Sequence, residues 1–132
     1  VASAVTEYHE AVTSSVAVSP DDVVLGVSHS GETLDVVDPL ARASVQGATT
    51  VALTSRATSV LARSSDHVLL CVAGTEDSFR PAAMASRSAQ LFVVDVLFVA
   101  VVQRDHERMA PLLSASWDAV SPRHPDRTRK DR

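Results

Sequence analysis

Three short apolar runs, each followed by a stretch with helical spacing, set the rhythm of this chain. Val23–Val27, Thr49–Leu53 and His67–Val72 are bounded by turn residues. Runs of that length read as strands covered on both faces, as in a parallel sheet. Between the first two, over Thr33–Val45, Leu34, Val37, Leu40 and Ala41 recur at the three-to-four spacing of one helix face. Pro39 lies inside that pattern and marks a kink or a boundary, and Gly47 is the natural left-handed cap at its end. A short helix is predicted over Ser59–Arg63, a long one over Ala82–Arg104 and a last one over Glu107–Val120, where Pro111 marks the first turn or a break. Ala2–Val16 is compatible with an amphipathic helix, and Ser19-Pro20-Asp21-Asp22 with a turn. No connection is short enough for a hairpin, so the strands are expected to run parallel through right-handed crossovers.

Composition narrows the picture. The 132 residues suit one domain with a real core, and 45% apolar residues describe a globular chain rather than a disordered one. The net charge is −4, but residues 123–132 hold Arg123, Arg127, Arg129, Lys130 and Arg132 against Asp126 and Asp131. The body before this basic tail is therefore more acidic than the whole, which disfavours broad contact with nucleic acid. The division expected is a domain over 1–121 and a disordered, solvated tail over 122–132. Cys71 is the only cysteine, so no intramolecular disulfide forms, and a reducing compartment fits. Leu91–Val102 is the longest apolar run, broken by Asp95 and short of the ~20 residues of a membrane span. A buried helix is the expectation there, as a central core helix or as a dimer interface.

The chemistry concentrates where the first strand ends, at Ser28-His29-Ser30-Gly31-Glu32-Thr33. In an open α/β sheet, ligands gather beyond the carboxyl ends of the strands. Amides freed at a helix start point into that space and favour an anion. Ser28, Ser30 and Thr33 add hydroxyls able to follow phosphate oxygens, and Gly31 lets the backbone come close. Glu32 is awkward beside a dianion and is expected to point away, toward solvent or a sugar hydroxyl. His29 either adds a donor to the anion or turns into packing or solvent. The plainer alternative is that Ser30 or Thr33 simply caps a helix and Gly31 makes a turn. No spacing of His67, His106 and Cys71 suggests a metal site, no cofactor motif appears, and no nucleophile elbow is present.

In their order and spacing, DDVVLGVSHSGET, GATTVALTS, SVLARSSDHVLL and SRSAQLFVVDVLF resemble the sugar isomerase (SIS) domain over about residues 5–102. EDSFRPAAMASRSAQLFVVDVLF is most similar to the carboxy-terminal SIS domain of RpiR-type transcriptional regulators. The resemblance implies a flavodoxin-like, three-layer αβα sandwich with a parallel sheet. It implies that Ser28, Ser30 and Thr33 grip a phosphate, with Thr54 and Ser59 lining the same region. Against the family pattern the chain reads as truncated at its amino-terminal side, without the opening strand, its Gly/Ser-rich loop or the helix-turn-helix domain.

The function implied is that of a cytoplasmic sensor domain. It binds a sugar phosphate, forms a homodimer or higher oligomer, and modulates DNA binding only through a domain outside this chain, with no membrane partner. An aldose–ketose sugar phosphate isomerase using Glu76 is the alternative. For Glu76 itself a solvated loop acid, a contact to a sugar hydroxyl and catalysis all stay open. A third reading is a structural remnant that no longer binds ligand.

Overall fold

The computed structural model describes residues 2–72 and 84–120. Its first compact unit, Val1–Val93, contains the sheet. Strands β1 (Val23–Val27), β2 (Thr49–Thr54) and β3 (His67–Leu70) pair in parallel in the order β1-β2-β3. The register sets Gly26 beside Ala52 and Ala52 beside Val68. Residues paired this way share a face, because side chains alternate along a strand.

Helix α1 (Tyr8–Ser15) packs against α2 (Leu34–Val45), and α2 and the four-residue α3 (Val60–Arg63) lie on the sheet. The core forms where they meet: Leu40 of α2, Ala52 of β2 and Leu61 of α3 are buried together, with Val24, Val36 and Val37 around them. Leu53, on the opposite face of β2, is fully buried as well. The α/β class with parallel strands is the expected one. Pro39 lies inside α2 without ending it. Gly47, at φ +89°, closes the helix. Its amide donates to the Ser44 carbonyl at 2.9 Å and the Ala48 amide to the Ala43 carbonyl at 3.2 Å, the pair of bonds that satisfies a helix's last carbonyls.

Between strands, Asp66 pins the start of β3 to β2. Its carboxylate accepts the Thr50 amide at 2.8 Å and the Thr50 hydroxyl at 2.7 Å. These two bonds, the backbone one foremost, hold the Asp66 carboxyl below its ordinary range. The buried Thr50 hydroxyl also accepts the Asp66 amide at 3.1 Å, so no polar group of Thr50 is stranded there.

One expectation is corrected. The Leu91–Val102 run does form helix, within α4 (Met84–Arg104), but it is not buried in this chain: Phe92 is 68% and Phe98 55% exposed. The helix also extends beyond the run. By length and composition alone Ala85–Arg104 is long and apolar enough to cross a bilayer. Hydropathy reports that side chains prefer to leave water, not which surface covers them. Helix α5 (His106–Val120) follows in the second unit, continuous through Pro111, with none of its residues buried.

Candidate functional site

Two carbonyls of the β1–α2 turn are taken by the β2–α3 segment. His29 O accepts the Ser55 amide at 3.0 Å, the Ser55 hydroxyl at 2.8 Å and the Thr54 hydroxyl at 3.0 Å. Gly31 O accepts the Leu61 amide at 2.9 Å. Among the described residues, the amides of Ser30, Thr33, Leu34 and Asp35 make no hydrogen bond. The last three belong to the start of α2, where an α-helix leaves its first amides without partners.

The hydroxyls complete the arrangement. Thr33 is the N-cap of α2, yet its side chain does not cap the helix. Its Oγ1 instead lies 3.0 Å from Ser28 Oγ. Ser28, buried at the strand end, accepts the Gly31 amide at 3.1 Å and so shapes the turn from within. Ser30 Oγ accepts the Glu32 amide at 3.2 Å. A twelve-residue helix thus begins with open amides and no side-chain cap, beside two hydroxyls that share a hydrogen bond. The helix dipole adds partial positive charge at the same place. The plain capping role is the one Thr33 does not take here.

Gly31 adopts φ +67°. A Cβ on it would stand 2.2 Å from Ser59 Oγ and 2.8 Å from Thr54 Oγ1. Thr54 and Ser59, expected to line the ligand region, are fully buried beneath the turn. The Thr54 hydroxyl donates to His29 O, and Ser59 Oγ accepts the Ala62 amide at 3.3 Å as the cap of α3. As placed here they form the floor of the turn. His29 has its Nδ1 buried and, among the described residues, without a hydrogen-bond partner. Glu32, expected to face solvent or a sugar hydroxyl, instead has its carboxylate accepting the Val60 amide at 3.3 Å.

Two residues with structural roles here escaped the sequence reading. Ser55 supplies two of the three donors to His29 O; the only signal for it was a hydroxyl directly after a strand. Val60 is recognised through its amide, which no side-chain pattern marks. Glu76 and the basic tail over 122–132 lie outside the described residues. Among the described residues, no three His, Cys, Asp or Glu side chains gather to hold a metal ion.

The chain is similar to transcriptional regulators and, among solved structures, also to a protein described as a putative sugar-phosphate isomerase. It is 39% identical over 115 residues to an uncharacterized HTH-type transcriptional regulator of Caldanaerobacter subterraneus, covering 87% of this chain and 40% of that protein. Its fold superposes on the Vibrio vulnificus NanR protein, solved in complex with ManNAc-6P, with a TM-score of 0.76 and 27% identity over 91% of this chain and 45% of that one. The sugar isomerase domain of the RpiR transcription factor from Sphaerobacter thermophilus matches with a TM-score of 0.66 and 29% identity, over 81% of this chain and 57% of the other. The chain therefore spans about two fifths of the curated relative's length. The profile of the SIS domain matches residues 1–100, and the chain belongs to the SIS domain family.

Proposed function

We propose that this chain is the phosphosugar-binding sensor domain of a cytoplasmic transcriptional regulator. In this reading a sugar phosphate seats its phosphate on the β1–α2 turn and biases a DNA-binding domain carried elsewhere in the protein. The observation that carries the reading is the uncapped start of α2, where unpaired amides meet the Ser28 and Thr33 hydroxyls. An anion satisfies all of these groups at once, and a helix start is suited to one. Similarity to proteins named as transcriptional regulators supports the sensor over the enzyme. The ManNAc-6P complex of NanR supports a sugar phosphate as the class of ligand.

Ser28, Ser30 and Thr33 contact the phosphate through hydroxyls and Gly31 brings its backbone near, while His29 flanks the site and Thr54 and Ser59 support it. Glu76 is assigned to the sugar moiety.

A calorimetric screen of sugar phosphates tests the proposal. At least one is expected to bind, with no turnover. The double variant Ser30→Ala, Thr33→Ala is expected to lose at least about 100-fold in affinity, since each of the two hydrogen bonds to a charged group contributes about 1.5–3 kcal/mol. A folded protein that ignores the whole panel removes the sensor reading. Turnover that disappears in Glu76→Gln would favour the isomerase instead.

The exposed apolar surface of α4 is assigned to pairing between copies of the chain. Light scattering that finds only monomers at micromolar concentration would remove that assignment.

A further inference from the structure

Glu32 presents a contradiction within the proposed site: a carboxylate sits inside the segment meant to hold an anion. The hydrogen bonds around it resolve this. Helix α3 opens with three amides that its own four residues cannot satisfy. The Ala62 amide goes to Ser59 Oγ, the Leu61 amide to the Gly31 carbonyl and the Val60 amide to the Glu32 carboxylate. Two of the three partners therefore come from the β1–α2 turn, a segment 28 residues away in the chain for the Val60 pair. At the same turn, His29 O is held by Thr54 and Ser55 at the end of β2. The turn and the β2–α3 segment interlock at three successive points, His29, Gly31 and Glu32.

From this geometry we infer that Glu32 is a positioning residue for the anion site, acting as a cap for α3 supplied from another segment. Its carboxylate draws the turn onto α3, which holds the Gly31 carbonyl inward and leaves the turn amides facing the ligand. The same bond keeps the negative charge directed at an amide rather than at the bound phosphate. The inference rests on the phosphate reading of the turn for its functional consequence. The clamp itself is a property of the fold.

Two variants separate this role from a general effect of charge. In Glu32→Gln the side-chain carbonyl still accepts from Val60, while the charge is gone. In Glu32→Ala both are gone. With inorganic phosphate as the probe, Glu32→Gln is expected to bind at least as tightly as the parent chain. Glu32→Ala is expected to bind about three- to tenfold more weakly, because the turn is no longer held. Amide hydrogen exchange provides a readout that needs no ligand: the Val60 and Leu61 amides stay protected in Glu32→Gln and lose protection in Glu32→Ala. Equal or tighter phosphate binding by Glu32→Ala overturns the inference, since Glu32 would then be a neighbouring charge and nothing more. Equal exchange at Val60 in all three proteins overturns it too. If the parent chain binds neither phosphate nor any sugar phosphate while the exchange difference is present, the clamp stands and the phosphate reading falls.

Discussion

Gly31→Ala is expected to destabilise the chain by about 2–6 kcal/mol and to abolish phosphate binding at the turn. Two independent costs meet at this position. The backbone sits at φ +67°, where a residue with a Cβ is strained by about 1–3 kcal/mol. The new methyl group would also stand 2.2 Å from Ser59 Oγ and 2.5 Å from Ser59 Cβ. Ser59 is fully buried and caps α3, so it has no free space to retreat into, and overpacking of this kind adds about 1–3 kcal/mol. Gly47 separates the two terms. Its φ of +89° carries the backbone strain, but the nearest atom to an added Cβ is Pro20 Cγ at 3.2 Å, a tight contact that is relieved by a shift of only a few tenths of an ångström. Gly47→Ala is therefore expected to cost less than Gly31→Ala in urea unfolding. Gly47→Asn should recover part of its loss, because asparagine tolerates left-handed backbone. Gly31→Asn should recover nothing, because the clash remains. A Gly31→Ala protein as stable as the parent would mean that the turn does not rest on Ser59 in this way.

Leu61→Ala carries the second large effect, about 2–5 kcal/mol of lost stability. Leu61 is fully buried between Leu40 and Ala52. A domain of this size has about 5–15 kcal/mol in total, so the midpoint of unfolding should move a long way toward low denaturant. Its neighbour Val60 is 39% exposed, and Val60→Ala should stay within about 1 kcal/mol of the parent, which assigns the effect to burial rather than to helix propensity. Loss of function should follow loss of packing. The Leu61 amide donates to the Gly31 carbonyl, so a displaced α3 also releases the turn. Chemical denaturation with tryptophan-independent detection, such as far-ultraviolet circular dichroism, measures both variants. Equal midpoints for Leu61→Ala and Val60→Ala would contradict the burial described here.

Some of this was legible from residue order. The strand runs announced themselves as short apolar stretches between turns, and β1, β2 and β3 start where the runs start, but the expected cover on both faces holds for β2 and not for β3, where Leu70 is 52% exposed. Helix α2 ends at Gly47 as expected, because few residues adopt the backbone that closes a helix. The turn at Ser28–Thr33 stood out because its hydroxyls and glycine follow a strand end. Helix α4 shows the limit. Its sequence declared an apolar helix, but among the described residues most of its large apolar side chains, Phe92 and Phe98 included, are left exposed. The first helix is shorter than its sequence pattern, Tyr8–Ser15 rather than Ala2–Val16, where Thr and Val weaken the helical tendency.

Residue order by itself determined the parallel strand-and-helix alternation, the helix stop at Gly47 and the position of the hydroxyl-rich turn, because each depends on local backbone preference or on side-chain periodicity. Tertiary structure alone decided what the polar groups of that turn do. Thr33 turned from capping its helix to meet Ser28, Thr54 and Ser59 went beneath the turn, and Glu32 found the Val60 amide. Hydroxyls and carboxylates accept or donate in several directions, and only the placement of β2 and α3 against the turn selects one of them.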